Sequence, residues 1–303
     1  MGRKSRLTGG SYLEVAMLSP MFVGFVVFTI YPIFWVIRWA CFEYAGYGQG
    51  LFIGLDNFAR AFFRDKNFWM VMGNTFYLAI AKLVLEMPLA ILLAFFVNDR
   101  IRGGSVFRII YFMPTIFSIA VVGMIFTILF SAYNGIVNAV LTSLHLIKAN
   151  VNWFGTRWSA LNVILLVSLW STFGLNMIYF LMGLQNIPDE LYECSMLDGA
   201  SGSRQFFSIT LPLLAPVMQI VFMLSLLGTM RLADLILVMT NGQPGGSTEV
   251  VMTYIFKYFF AYGQIGRRAE YGYGSALSII TAIILAIITV IYLNWSKKMK
   301  DIT

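Results

Sequence analysis

Six long apolar stretches constrain this chain more than anything else in it: 15–39, 70–97, 109–131, 160–184, 213–239 and 275–295. An α-helix rising about 1.5 Å per residue needs roughly 20 residues to cross a hydrocarbon core of about 30 Å. Each stretch meets that length. Helices are the predicted way to satisfy the backbone inside lipid. The first stretch exceeds the roughly 7–15 apolar residues of a signal peptide, so it is read as a span despite Pro20 and Pro32. Composition agrees: 59% of the 303 residues are hydrophobic and 12% charged, against about 25% charged in an average soluble domain. The expected fold is an all-α membrane protein with six transmembrane helices. Residues 1–13 form a basic tail, 14–295 the six-span domain and 296–303 a second tail.

The net charge of +7 would fit a nucleic-acid binder if it were clustered in a soluble domain. Here the basic residues flank apolar runs, where they orient a protein in a membrane. Six spans place both termini on one side. That side carries ten Lys and Arg, including the short segment with Arg100, Arg102 and Arg108 and the terminal Lys297, Lys298 and Lys300. The other side carries eight in much longer loops. The density predicts cytoplasmic termini.

Few charges fall inside the spans. Lys82 and Glu86 are four residues apart in the second, on one helix face, and are expected to pair with each other. Arg231 and Asp234 occupy the second half of the fifth, and the residues leave open a structural pair or a site for an anionic solute. The single His145 has no cluster of acids or cysteines near it and is expected to be solvated, with no metal site. Cys41 and Cys194, the only two cysteines, fall on opposite sides of the membrane, which excludes a disulfide between them. No phosphate-binding Gly-x-x-x-x-Gly-Lys-Ser/Thr sequence occurs, so any ATP has to be bound by a partner.

The longest polar-rich interruption on the cytoplasmic side runs from Ile187 to Pro216. It reads as a short helix, a glycine break at Gly199 and Gly202, a second short helix and a proline-marked entry into the fifth span. Within it, Glu193-Cys194-Ser195, Asp198-Gly199-Ala200, Phe206 and Ile209-Thr-Leu-Pro212 resemble the EAA loop of the membrane subunits of ABC importers. Cys194 and Ser195 replace the family's two alanines, and Ser203 stands where an aromatic is common. Further segments resemble the carbohydrate-uptake permeases of that family. They include Phe52-Ile-Gly-Leu-Asp-Asn57, Asn74-Thr75, Arg108 to Pro114, Gly183 to Pro188, Thr240-Asn-Gly-Gln-Pro-Gly-Gly-Ser-Thr-Glu249 and Tyr273 to Leu277. The likeness covers nearly the whole chain apart from Tyr258 to Tyr271.

The resemblance implies a type I importer permease that makes no bond itself and is not an enzyme. It implies a second homologous permease, a pair of ATP-binding subunits holding ATP and magnesium, an extracytoplasmic solute-binding protein and a sugar substrate. The loop at 187–212 would be the coupling helix, with Glu193, Cys194, Ser195, Asp198, Gly199, Ala200 and Pro212 facing the ATPase. The solute path is expected at Trp170, Ser171, Thr172 and Asn176 of the fourth span and Ser225, Thr229, Arg231 and Leu232 of the fifth. Hydroxyls and amides there can bond sugar hydroxyls, and an aromatic face can stack on a pyranose. The same small polar residues also serve helix packing in membranes. Two other functions remain open: a permease for a sugar phosphate or other anionic solute, and a self-sufficient ion-coupled transporter with Glu86 or Asp234 as its acid.

Overall fold

The computed structural model describes residues 8–98, 104–230, 232–260 and 268–300. In chain order these form α1 (Thr8–Phe25), α2 (Tyr31–Trp39), β1 (Phe42–Glu43), β2 (Leu51–Phe52), α3 (Asp56–Ala59), α4 (Lys66–Asn98), α5 (Gly104–Ile116) and α6 (Ile119–Leu129). They continue with α7 (Ile136–Ser143), α8 (Arg157–Gln185), α9 (Asp189–Leu197), α10 (Gly202–Gln205), α11 (Leu211–Met230), α12 (Asp234–Met239), α13 (Val251–Phe260) and α14 (Tyr271–Lys300). Five helical stretches are long and apolar enough to cross a membrane, and α5 with α6 makes a sixth if the pair is one bent span.

Proline chemistry explains why some spans are not single α-helices. A proline lacks the N–H of the helical ladder and its ring crowds the carbonyl four residues back. A five-residue π-turn precedes Pro32, at Val26–Ile30, and another precedes Pro212, at Phe206–Thr210. Each widened turn re-routes the ladder, so α1 runs on into α2 and α10 into α11. The second short helix of the 187–212 loop is therefore the start of the fifth span rather than a separate element.

Two further expectations are corrected. The third span, expected as one helix over 109–131, is broken: α5 and α6 meet at 94° across Phe117 and Ser118. Ser118 is extended (φ −58°, ψ 133°) and starts a new helix. The fifth span, expected to reach Met239, ends at Met230, and the chain re-enters a helix at Asp234. Leu232 N–H bonds back to the Thr229 carbonyl at 3.1 Å in a tighter turn. The exposed Asp234 then occupies the first turn of α12, where a helix dipole favours an acid.

The chain divides into two compact units. The first comprises residues up to Asp65 and from Ile255 to 289. Its β-hairpin pairs Phe42 with Phe52, and the Asn57 amide donates to the carbonyls of Ala40 (2.9 Å) and Phe42 (3.0 Å). Arg60 pairs with Glu270 at 2.5 Å and lies 3.8 Å over the Tyr273 ring, while the Tyr273 hydroxyl donates to Asp65 at 2.6 Å. Burial lowers the Arg60 pKa, but the Glu270 hydrogen bond and charge outweigh it and hold the guanidinium above its ordinary value.

The second unit, Lys66 to Tyr254 with residues from Val290 on, is built around α8. One core gathers Leu78, Val122, Leu161, Ile164, Leu235 and Ile236. The other gathers Ala90, Met177, Phe180, Leu184, Leu214 and Val221. Gly174 lets α5 approach α8 closely, since a Cβ there would lie 1.8 Å from the Tyr111 carbonyl oxygen. The Asn241–Glu249 turn is held to this unit by Asn74, whose amide donates to the carbonyls of Ser247 (2.8 Å) and Glu249 (2.7 Å). Arg157 in turn donates twice to the Asn74 amide oxygen, at 2.9 and 2.7 Å.

Candidate functional site

Two polar features stand out in the second unit. The first is the loop at 187–212. Pro188 caps α9 in an extended conformation, and Asp189 and Glu190 occupy its first turn. At the other end Gly199 N–H bonds the Met196 carbonyl (3.0 Å) and Ala200 N–H the Ser195 carbonyl (2.9 Å). That pair is a Schellman cap, with Gly199 left-handed at φ +77°. No residue of α9 is buried, and Leu197, Met196 and Leu191 are exposed beside Glu193, Cys194 and Asp198.

The opposite face of α9 is braced. Ser195 Oγ donates to the Tyr192 carbonyl at 2.8 Å and accepts from the Gln205 amide at 2.8 Å. The Tyr192 hydroxyl lies 2.9 Å from that of buried Thr210, within the π-turn before Pro212. Ser195 therefore ties the loop to the base of α11, whereas Leu197, Glu193 and Asp198 present themselves outward. Half-buried Ala200 and Pro212 flank the brace, and exposed Ser203 lines a cavity of about 600 Å³ together with Phe95, Asn98, Tyr192 and Phe206.

The second feature lies inside this unit, among α4, α8 and α11. Glu86 is fully buried on α4. Its Oε1 accepts from the Thr172 hydroxyl of α8, and its Oε2 accepts from the Ser225 hydroxyl of α11 at 2.5 Å. Lys82 Nζ stands 4.0 Å from Oε2. The expected Lys82–Glu86 pair thus exists, but the carboxylate's hydrogen bonds go to hydroxyls on two other spans. Sequence reasoning placed Thr172 and Ser225 at the solute path and missed Glu86 as the group that joins them. An acid one helical turn from a lysine looks self-sufficient until the third dimension is known.

The other expected path residues distribute unevenly. Ser171 and Thr229 spend their hydroxyl protons on carbonyls four residues back, Val167 (2.9 Å) and Ser225 (2.8 Å). Asn176 is buried on α8, one turn from Thr172. Trp170 keeps about a third of its surface exposed and packs on Phe126, ring centroids 5.2 Å apart. Leu232 lies past the end of α11 against the apolar core, so it does not continue the face of Ser225 and Thr229. Arg231 lies outside the described residues. His145 is exposed, and no group of metal-ligating side chains occurs among the described residues.

These features, a braced loop helix beneath a bundle of long spans, coincide with a sequence match. The profile of the binding-protein-dependent transport system inner membrane components matches residues 86–301. The chain belongs to this family. Among curated relatives, the permease is 31% identical over 292 residues to the trehalose/maltose transport system permease protein MalF of Thermococcus litoralis, covering 95% of both chains. It is 30% identical to the arabinooligosaccharides transport system permease protein AraP of Bacillus subtilis, over 93% of this chain and 88% of that one. It is 31% identical to the multiple sugar-binding transport system permease protein MsmF of Streptococcus mutans, over 91% and 92%. A chain of a bacterial ABC transporter that imports the acidic polysaccharide alginate superposes with a TM-score of 0.82 at 23% identity, covering 95% of this permease and 96% of that chain. The fold is therefore that of an ABC-importer permease.

Proposed function

We propose that this permease forms half of the translocation path of an ATP-driven uptake system for oligosaccharides. The observation that carries the proposal is α9: a short, capped helix, apolar and acidic on its outer face and braced by Tyr192, Ser195 and Gln205 to the foot of a span. Such a body can transmit a push from a docked subunit. The names of the relatives supply the solute class, since their permeases serve maltose, trehalose, arabinooligosaccharides and multiple sugars. A second permease of the same kind completes the path. Two ATP-binding subunits hold ATP and magnesium, and an extracytoplasmic binding protein delivers the solute. Glu193, Cys194, Asp198 and Gly199 meet the ATPase, on the cytoplasmic side together with both termini. Thr172, Asn176, Ser225 and Thr229 border the path.

The test is uptake by the complete complex in proteoliposomes, with trehalose, maltotriose and arabinotriose as probes. Uptake is expected to require ATP and binding protein. Uptake that continues without ATP and follows an ion gradient would replace this function with that of a self-sufficient carrier. A second solute class, anionic saccharides, is suggested by the sequence alone, in which the basic Arg231 follows Met230, and an alginate trisaccharide as a fourth probe decides between the two.

A further inference from the structure

Lys82 is the central residue of α4, which runs from Lys66 to Asn98. At about 1.5 Å per residue, either end of the helix is about 24 Å away, beyond the reach of a snorkelling lysine. Its side chain is only 4% exposed. Yet among the described residues it makes no hydrogen bond, and its one counter-charge, Glu86, stands at 4.0 Å, outside hydrogen-bonding distance. Its three N–H donors have no hydrogen-bond partner among the described residues. Glu86, by contrast, accepts one hydroxyl at each oxygen, from Thr172 and from Ser225.

Folding alone does not account for this arrangement. A buried ion pair repays its desolvation only with close geometry and further hydrogen bonds, and apolar replacements are often as stable or more so. An ionisable residue deep in a span marks a transport path by default. The two helices that Glu86 joins to α4, namely α8 and α11, are those that carry Thr172, Asn176, Ser225 and Thr229.

We propose that Lys82 is a solute-contacting donor on the translocation path and that Glu86 is its positioning residue. Glu86 neutralises Lys82 without consuming its donors. With its single proton directed to Glu86 or to the Ser168 carbonyl (3.0 Å), the oxygen of partly buried Thr172 keeps a lone pair as an acceptor. Donors and an acceptor side by side, with no net charge, match the hydroxyl groups of an uncharged saccharide, each of which both accepts and donates. A carboxylated or phosphorylated solute would gain no net charge complement from the paired Lys82 and Glu86. The inference rests on the uptake function proposed above and deepens it by naming an uncharged, hydroxyl-rich solute class.

The test uses the full complex with its binding protein in proteoliposomes and maltotriose, trehalose, arabinotriose and an alginate trisaccharide as probes. Lys82→Met alone strands a buried carboxylate and can fail to assemble, so the deciding variant is Lys82→Met with Glu86→Gln, which removes both charges and keeps an acceptor for the two hydroxyls. The expected result is normal assembly and binding-protein-stimulated ATP hydrolysis, with saccharide transported per ATP falling about tenfold, equivalent to about 1.4 kcal/mol. Lys82→Arg, which keeps the charge and donors, should retain most of the coupling. A purely structural pair would leave transport per ATP unchanged in the double variant, and that outcome overturns the inference alone. Wild-type uptake of the alginate probe in preference to the neutral ones overturns it as well. Absence of ATP-dependent uptake by the wild type overturns the transport function and this inference with it.

Discussion

Gly199 adopts φ +77°, and no atom lies within 4 Å of the place a Cβ would occupy. Within this chain the penalty for a side chain is therefore the left-handed backbone alone, about 1–2 kcal/mol. Any larger effect has to come from a surface docked against the loop. Gly199→Val is expected to insert and assemble but to lose stimulation of ATP hydrolysis by solute-loaded binding protein. Gly199→Asn, which tolerates this conformation better, isolates the contribution of bulk. Wild-type stimulation in the valine variant, measured in proteoliposomes, would remove the loop from the coupling interface. Gly174 presents the opposite situation, because its space is already filled by the Tyr111 carbonyl. Gly174→Val should force α5 away from α8 and lower the detergent melting temperature of the complex, overpacking of this kind costing about 1–3 kcal/mol or more. On the path, leucine at Asn176, Ser225 or Thr229 should lower transport without preventing assembly, and unchanged uptake in all three would assign them to packing.

Elements were legible in the sequence to the extent that their causes are local. Apolar length exposed every span, and Pro188, Gly199 and the flanking acids exposed α9, because caps and dipoles act within a turn. The break of the third span at Ser118 and the early end of the fifth at Met230 were not legible. Apolarity continues through both, and it is packing of the following helix against a different partner that redirects the chain. The same limit hid the role of Asn74 and Thr75. They stand in a segment that resembles the family, yet their work is to hold a turn some 170 positions away: the Asn74 amide donates to the Ser247 and Glu249 carbonyls, and Thr75 accepts from Val251 N–H at 3.0 Å. At this scale the brace of α9 is open to test. Tyr192→Phe with Gln205→Ala removes hydrogen bonds worth about 0.5–1.5 kcal/mol each. Faster amide exchange in α9 is expected, together with fewer solute molecules moved per ATP. Exchange as slow as in the wild type would show that the brace does not hold the helix.

For the whole molecule, the density of Lys and Arg around short loops predicts both termini and α9 in the cytoplasm. Single cysteines introduced at Ser5 and Gly245 probe it with a membrane-impermeant thiol reagent added to intact cells. Gly245 should label and Ser5 should not, and the reverse pattern would invert the topology. From Gly202 to Met230 the backbone is helical throughout, the π-turn at Phe206–Thr210 included. At about 1.5 Å per residue this is a strut of about 43 Å. Its lower end is pinned to α9, and Ser225 and Thr229 sit near its upper end, just before the chain changes direction. A strut with its bend at the far end has the form of a connecting rod: a push on the loop of the kind proposed above would arrive almost undiminished at the height of Glu86, where three helices share one carboxylate.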